Sequence, residues 1–184
     1  MAVSDDELMR RYVEGDEAAF HMLFDRYRAL VYNFARYMLN DPFRAEDILQ
    51  DTFLSVARSA PRYRPEGRFR TWLLRIVRNR CLNLLEADRA RRAATIRERP
   101  EFPAIETSPG RRIEAAERMA AVREALSRLP ERQREALVLY GFDSMSYDEI
   151  AGVLDVPINT VKTIIHRGRA ALARAIQDKE PDAP

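Results

Sequence analysis

Cysteine is all but missing from this sequence. A single Cys81, with only His21 and His166 beside it, excludes an internal disulfide framework and leaves too few soft ligands for a conventional structural zinc site. No glycine-rich phosphate loop of the Walker type is present, so nothing points to a nucleotide-hydrolysing machine. No apolar run approaches the length needed to cross a bilayer, and the amino-terminal MAVSDDELMRR lacks the apolar stretch of a signal peptide. Internal repeats and low-complexity tracts are absent as well. The expectation is a cytoplasmic protein with no direct membrane insertion, no bound metal and no cofactor.

Charge is present, but unevenly. The 184 residues carry a formal net charge of only +2. That average hides an asymmetry: residues 1 to 60 contain 7 Arg and 11 Asp or Glu, whereas residues 62 to 99 contain 12 Arg and only 4 acids. One segment is therefore built to meet an anion. All but two of the 31 basic residues are arginine, which suits bidentate and stacking contacts.

Hydrophobic periodicity predicts helix throughout. Ser4 and Glu7 form a capping-box pattern that opens a short helix closed at Gly15. The next helix runs from about Glu17 to Leu39, with Phe20, Leu23, Phe24, Tyr27, Leu30, Val31, Phe34 and Met38 as its apolar stripe. Asp41 and Pro42 start a third that buries Ala45, Ile48, Leu49, Phe53 and Val56 and ends before Pro61. A fourth extends from about Arg70 into the nineties on Leu73, Ile76, Val77, Cys81 and Leu84. From Ala93 to Arg118 the period fades and prolines accumulate, the composition of an extended linker. Beyond it, one helix is predicted from near Met119 to Leu129. Pro130 opens another that reaches Tyr140. The fold class is thus all-α: two small helical domains joined by a flexible linker. Their bounds are 5–92 and 118–178, with the linker at 93–117.

The second domain closes on a helix-turn-helix pattern. Ser146 with Glu149 makes a capping box, a short helix follows to about Leu154, and Pro157 presets the first turn of the next helix. In that helix Ile158, Val161, Ile165, Leu172 and Ile176 recur at helical spacing, with Gly168 allowing a neighbouring helix to approach. The opposite face holds Asn159, Lys162, Thr163, His166 and Arg167, donors able to reach base edges and phosphates in a major groove. Between Val161 and Gln177 the chain has four Lys or Arg and no acid.

A second candidate surface lies in the arginine-rich segment. Trp72, Arg75, Asn79 and Asn83, spaced by three and then four residues, line up along one helical face. Just upstream, PRYRPEGRFR interleaves Tyr63 and Phe69 with Arg62, Arg64, Arg68 and Arg70. Rings among guanidinium groups suit unpaired nucleic acid, since a ring stacks on an exposed base while the cations hold its phosphates. Such a surface could trap a base that has left the duplex.

Taken in order, AEDILQDTFL, FRTWLLRIVRNRCLNLL, LPERQREALVLYGFDSMSYDEIAGVLDVPINTVK and HRGRAAL resemble bacterial sigma factors of the extracytoplasmic-function class, over roughly residues 7 to 178. The resemblance implies a dissociable, non-catalytic subunit of RNA polymerase. Its first domain would dock on the core enzyme and melt the minus-ten promoter element, and its second would read the minus-thirty-five element. Carried over residue by residue, Asp47, Gln50 and Asp51 match the polar row that contacts core polymerase. These three share one side of the third helix. Asn79 matches an asparagine of the pocket for a flipped non-template base, with Tyr63 to Arg68 as the specificity loop beside it. The single-strand surface then comprises Tyr63, Arg64, Arg68, Trp72, Arg75, Asn79 and Asn83. Lys162, Thr163, His166 and Arg167 fall on the positions facing the minus-thirty-five groove. The implied partners are bacterial core RNA polymerase, promoter DNA and an anti-sigma protein.

The chain departs from that pattern in places. Many members carry glycine where this sequence has Asp155 and Asn159, and arginine where it has Ile164. Asparagine tolerates glycine-like backbone angles, so the turn is expected to survive. Two other classes fit parts of the sequence. Asp41, Glu46, Asp47 and Asp51 could hold magnesium for phosphoryl chemistry, but no lysine or histidine base accompanies them. A free-standing helix-turn-helix repressor with a helical sensor domain would leave the arginine and aromatic loop unexplained. The chain ends soon after the second domain, so control is expected to come from other proteins.

Overall fold

In the computed structural model, residues 3–94, 111–141 and 145–177 are described. Among them the secondary structure is helical throughout: α1 Asp5–Val13, α2 Glu17–Leu39, α3 Pro42–Ser59, a 3-10 turn at Ala60–Arg62, α4 Phe69–Ala94, α5 Arg111–Ser127, α6 Glu131–Gly141, α7 Tyr147–Leu154 and α8 Ile158–Gln177. The first unit is α1 to α4 and the second α5 to α8.

Local chemistry sets most of these bounds. Asp16 accepts a hydrogen bond from the Ala19 amide at 3.3 Å and starts α2, and Asn40 ends that helix in the left-handed region at φ 54°. Asp41 caps α3 by accepting from the amides of Phe43 and Arg44, a contribution of about 1 kcal/mol for such a cap. Ser146 and Glu149 make the complete capping box on α7: Ser146 Oγ accepts from the Glu149 amide at 3.2 Å, and Glu149 Oε2 accepts from the Ser146 amide at 2.8 Å. The box expected at Ser4 is only half formed. Ser4 accepts from the Glu7 amide, but the Glu7 carboxylate turns to Arg10, where a charged partner one turn on outcompetes a neutral amide.

Three expectations need correction at helix ends. Helix α5 begins at Arg111, eight residues before Met119, because the run RRIEAAER consists almost wholly of good helix formers. Residues 95–110 of the expected linker lie outside the described residues. Pro157 stands just before α8, its carbonyl accepting from the Thr160 and Val161 amides, so it caps the helix from outside. Ile176, expected inside, is exposed, since the neighbouring helices do not cover the end of α8.

The two units do not hang apart. Buried side chains from Leu8 to Ile165 form one continuous apolar cluster that includes members of both units. The reason lies in α4, which buries residues on two sides. Leu73, Val77 and Cys81 are buried as expected, but Leu74, which was not foreseen, is fully buried too. A second stripe of α4, Thr71, Arg75 and Arg78 at helical spacing, meets the second unit. Arg75 Nε donates to the Gly152 carbonyl at 2.5 Å, and Arg78 Nη2 pairs with Glu135 Oε2 at 3.2 Å. On the other side Arg134 Nη1 donates to the Met38 carbonyl at 2.7 Å, near the end of α2. A carbonyl there has no helical partner, so a guanidinium satisfies it.

Within the second unit, Gly168 of α8 is buried where α6 crosses. A Cβ added there would stand 3.1 Å from Leu137 Cγ and 3.4 Å from Gln133 Cβ. The close approach foreseen for this glycine is thus present. Gly168→Leu is expected to lower the unfolding free energy in urea by about 1–3 kcal/mol through overpacking, even though leucine gains up to about 1 kcal/mol in helix propensity.

Candidate nucleic-acid interface

The turn of the helix-turn-helix rests on one residue with an unusual backbone. Asp155 closes α7 at φ 55° and ψ 52°, and its amide donates to the Ala151 carbonyl. An aspartate tolerates the left-handed region better than most side chains because its short carboxylate bonds locally. Asn159, the other departure from glycine, lies inside α8 with ordinary helical geometry. Only one of the two positions therefore needs glycine-like freedom.

From that turn α8 presents a divided surface. Val161, Ile165 and Gly168 are buried, while Asn159, Lys162, Thr163, His166 and Arg167 are all exposed on the other side. The five residues expected to face a groove thus share one solvent-facing surface. Thr163 Oγ1 donates to the Asn159 carbonyl at 3.0 Å, a bond to the preceding turn that restrains its rotamer. Ile164 is half-buried and packs against the core, so at this position the side chain serves the fold.

The arginine and aromatic loop is organised differently from expectation. Phe69 is core, 1% exposed, so it offers no ring to a base. Tyr63 is half-buried and packs its ring 5.8 Å from Phe69 and 5.0 Å from Trp72. Its hydroxyl donates to Asp6 Oδ1 at 2.5 Å. The Gly67 amide donates to the other oxygen of the same carboxylate at 2.7 Å. Asp6 of α1 therefore ties down both ends of the loop, with Gly67 in the left-handed region at φ 67°. Burial and the Asp6 bond raise the Tyr63 hydroxyl well above the ordinary tyrosine range and keep it protonated. Sequence reasoning missed Asp6, because a carboxylate in the first turn of a helix reads as a dipole partner. Arg64 and Arg68 stand exposed on the loop so formed.

Along α4 Trp72, Arg75, Asn79 and Asn83 keep one side of an unbroken helix, as expected, but their surroundings differ. Trp72 is half-buried beside the loop, and Asn79 and Asn83 are exposed. Eleven residues separate Trp72 from Asn83, a rise of about 16 Å. At that far end Asn83 lines a groove of about 520 Å³ between α3 and α4, with Asp47, Asp51 and Arg80. Arg75 carries the bond to Gly152. The strip is thus divided among the loop, the second unit and the α3 groove.

On α3, Asp47, Gln50 and Asp51 are exposed on one side of the helix, as expected. Asp51 pairs with Arg80 of α4 at 3.0 Å, and Arg80 also donates to Ser55 Oγ at 2.5 Å. Two large apolar residues flank the polar row, Phe43 at 75% exposure and Leu54 at 53%. Phe43, Asp47, Gln50 and Leu54 stand at i, i+4, i+7 and i+11, so polar and exposed apolar side chains share one face of α3. Asp41 of the supposed metal cluster is committed to capping α3. No group of three or more metal-ligating side chains gathers among the described residues.

Glu135 was not singled out in the sequence. It is fully buried on α6, and burial raises its carboxyl above the usual range while Arg78 pulls the other way. Its Oε1 and Arg78 Nε are both buried without a hydrogen bond among the described residues. Burial of two charges with unsatisfied atoms costs several kcal/mol per ion, so the pair contributes little net stability.

The chain resembles known proteins along most of its length. The Sigma-70 region 2 family model matches residues 23–92, and the Sigma-70, region 4 family model matches residues 119–172. The ECF RNA polymerase sigma factor SigM of Mycobacterium tuberculosis is 38% identical over 94% of this chain and 85% of its own. The RNA polymerase sigma-H factor of Pseudomonas aeruginosa is 34% identical over 94% of both chains. Among solved structures, CnrH in complex with the cytosolic domain of CnrY is similar at a TM-score of 0.73 and 29% identity, over 96% of this chain and 99% of that one.

Proposed function

This chain belongs to the sigma-70 family of RNA polymerase sigma factors, in its extracytoplasmic-function class, and we propose that its exposed surfaces divide the work of initiation among three groups of residues. As a sigma factor it is an alternative, non-enzymatic initiation factor that binds core RNA polymerase and directs it to promoters. Its domain bounds on this reading are 5–92 and 118–178, and its place of action is the cytoplasm.

The observation that carries the division is the split surface of α8. Asn159, Lys162, Thr163, His166 and Arg167 are all exposed while Val161, Ile165 and Gly168 are buried. This set reads the minus-thirty-five element in the major groove. Asp47, Gln50 and Asp51 on α3 dock on core polymerase, with Phe43 and Leu54 as apolar flanks. Desolvated apolar anchors beside a polar row supply affinity while the charges set register.

Opening of the duplex falls to Arg64, Arg68, Trp72, Arg75, Asn79 and Asn83, with Tyr63 as the support of the loop. Unstacking a base costs a few kcal/mol. Capture of the unpaired base offsets that cost without nucleotide hydrolysis. Asn79 is exposed and supplies both donor and acceptor for a base edge. CnrH is solved with the cytosolic domain of CnrY. A polypeptide inhibitor of the anti-sigma kind is on this reading a partner of the present chain too.

Three outcomes test the reading. On a sizing column in moderate salt, without DNA, the purified chain should comigrate with bacterial core RNA polymerase, and the double substitution Asp47→Ala with Asp51→Ala should weaken that association. Clean separation combined with tight binding to duplex DNA would instead support a repressor. Asn79→Ala should impair promoter opening, followed by permanganate reactivity of unpaired thymines, more than it impairs initial binding; equal loss of both would remove the pocket role. Arg167→Ala should cost about 1–3 kcal/mol in promoter affinity and relax preference at one base pair. An unchanged preference would reassign Arg167 to a phosphate.

A further inference from the structure

We propose that Asp6 of α1 is a positioning residue for base selection at the minus-ten element: by accepting from both Tyr63 and Gly67 it fixes the loop shape in which Arg64 and Arg68 meet an unpaired base. The inference rests on the reading of this loop as a strand contact given above and adds to it a residue of a helix to which that reading gives no part.

One carboxylate holds the loop at two points. Tyr63 Oη donates to Asp6 Oδ1 at 2.5 Å, and the Gly67 amide donates to Oδ2 at 2.7 Å. Between these points Arg64, Pro65 and Glu66 are exposed, and Arg68 follows directly. Pro65 has its φ preset by its ring, whereas Gly67, at φ 67°, has the freest backbone of the loop. Asp6 therefore bonds the loop where restraint is most needed. An ionised acceptor makes such bonds stronger than a neutral one would.

Asp6 is itself firmly placed. Its neighbour Asp5 accepts from the Tyr27 hydroxyl and pairs with Arg26 of α2, and Arg26 Nη2 donates to the Val3 carbonyl at 3.1 Å. Leu8 and Met9, close behind on α1, are buried in the core. Two successive carboxylates thus hold two tyrosines, and both rings pack on Phe69, with centroids 5.3 Å away for Tyr27 and 5.8 Å for Tyr63. Trp72 joins the cluster at 5.0 Å from Tyr63 and 5.7 Å from Phe69. Position passes from α1 to the loop and the indole through these rings and hydrogen bonds.

Loss of the Asp6 bonds leaves the ring packing of Tyr63 in place but returns backbone freedom to the stretch from Arg64 to Arg68, and that freedom must be lost again at each capture. A loosened loop still attracts phosphates by charge. It reads base edges poorly, because discrimination needs donors held at fixed places. The consequence falls on preference more than on attraction.

The test is transcription by the full chain reconstituted with bacterial core RNA polymerase, on a promoter library randomised across both elements, with the transcripts sequenced. In Asp6→Ala the ratio of the preferred base to the next at the unpaired minus-ten positions should fall about fivefold, the low end of what one well-placed contact supplies. The minus-thirty-five preference should stay as it is. Asp6→Asn should restore the ratio, since its Oδ1 accepts from the Gly67 amide while its Nδ2 donates to the Tyr63 oxygen. Tyr63→Phe, which removes one of the two bonds, should fall between. Glu7→Ala is the control: it removes an acid of the same turn that bonds Arg10, and it should change no ratio. Trp72 is the sole tryptophan, so in the free chain acrylamide quenching of its emission should increase in Asp6→Ala and not in Asp6→Asn or Glu7→Ala.

A merely structural role would lower transcription from every library member alike. Unchanged ratios in Asp6→Ala and Tyr63→Phe therefore overturn the proposal, as does an equal loss in Glu7→Ala or an Asp6→Asn chain no better than Asp6→Ala. Should Asp6→Ala fail to fold by circular dichroism, Tyr63→Phe decides alone. The double substitution Arg64→Ala with Arg68→Ala is read separately: if it leaves the minus-ten preference untouched, the strand-contact reading of the loop has failed, whereas loss of preference there beside unchanged ratios in Asp6→Ala confines the failure to the role of Asp6.

Discussion

Helix α4 has to satisfy neighbours on two sides, and the arrangement of the molecule follows from how it does so. On one side Leu73 and Val77 complete the core of the first unit. On the other, Thr71, Arg75 and Arg78 meet α6 and α7. The central contact, Arg78 with Glu135, sets a fully buried carboxylate against a guanidinium whose side chain is 13% exposed. Such a pair gains Coulomb energy roughly equal to what its ions lose in hydration, so it fixes a geometry more than it adds stability. The apolar cluster around it holds the units together, and the ion pair decides their register.

This arrangement assigns different states to different surfaces. The α8 face with Lys162 and Arg167 is open, as is the α3 row of Asp47, Gln50 and Asp51. On the proposed reading each has a charge sign suited to its partner: cations for duplex DNA, anions and amides for a protein. The α4 surface is partly engaged within the chain.

Loop and helix also illustrate how aromatic residues among arginines divide their labour. Phe69 and Tyr63 build the platform, and Trp72 sits on it half-exposed. Asp6 holds that platform through Tyr63 and Gly67. On the proposed reading this support sets the shape of the loop bearing Arg64 and Arg68 before any strand arrives, which lowers the ordering cost of capture.

What the sequence determined by itself was local. The caps at Asp41 and Ser146, the stripe of α2, the inward Val161, Ile165 and Gly168 of α8, and the outward Lys162, His166 and Arg167 all follow from interactions within about one or two helical turns, which spacing encodes directly. The exposed row on α3 was legible for the same reason. Tertiary structure alone decided the rest. Arg78 and Glu135 are 57 residues apart, and each reads in isolation as a solvated charge. Asp6 and Tyr63 are likewise distant in sequence and adjacent in space. The left-handed residue of the turn was Asp155 and not Asn159, because the hydrogen bond from its amide back to Ala151 closes α7 there. Helical period tells which residues share a face; it carries no record of what that face meets, since contact between faces depends on how distant helices cross, and that is set by the packing of the whole chain.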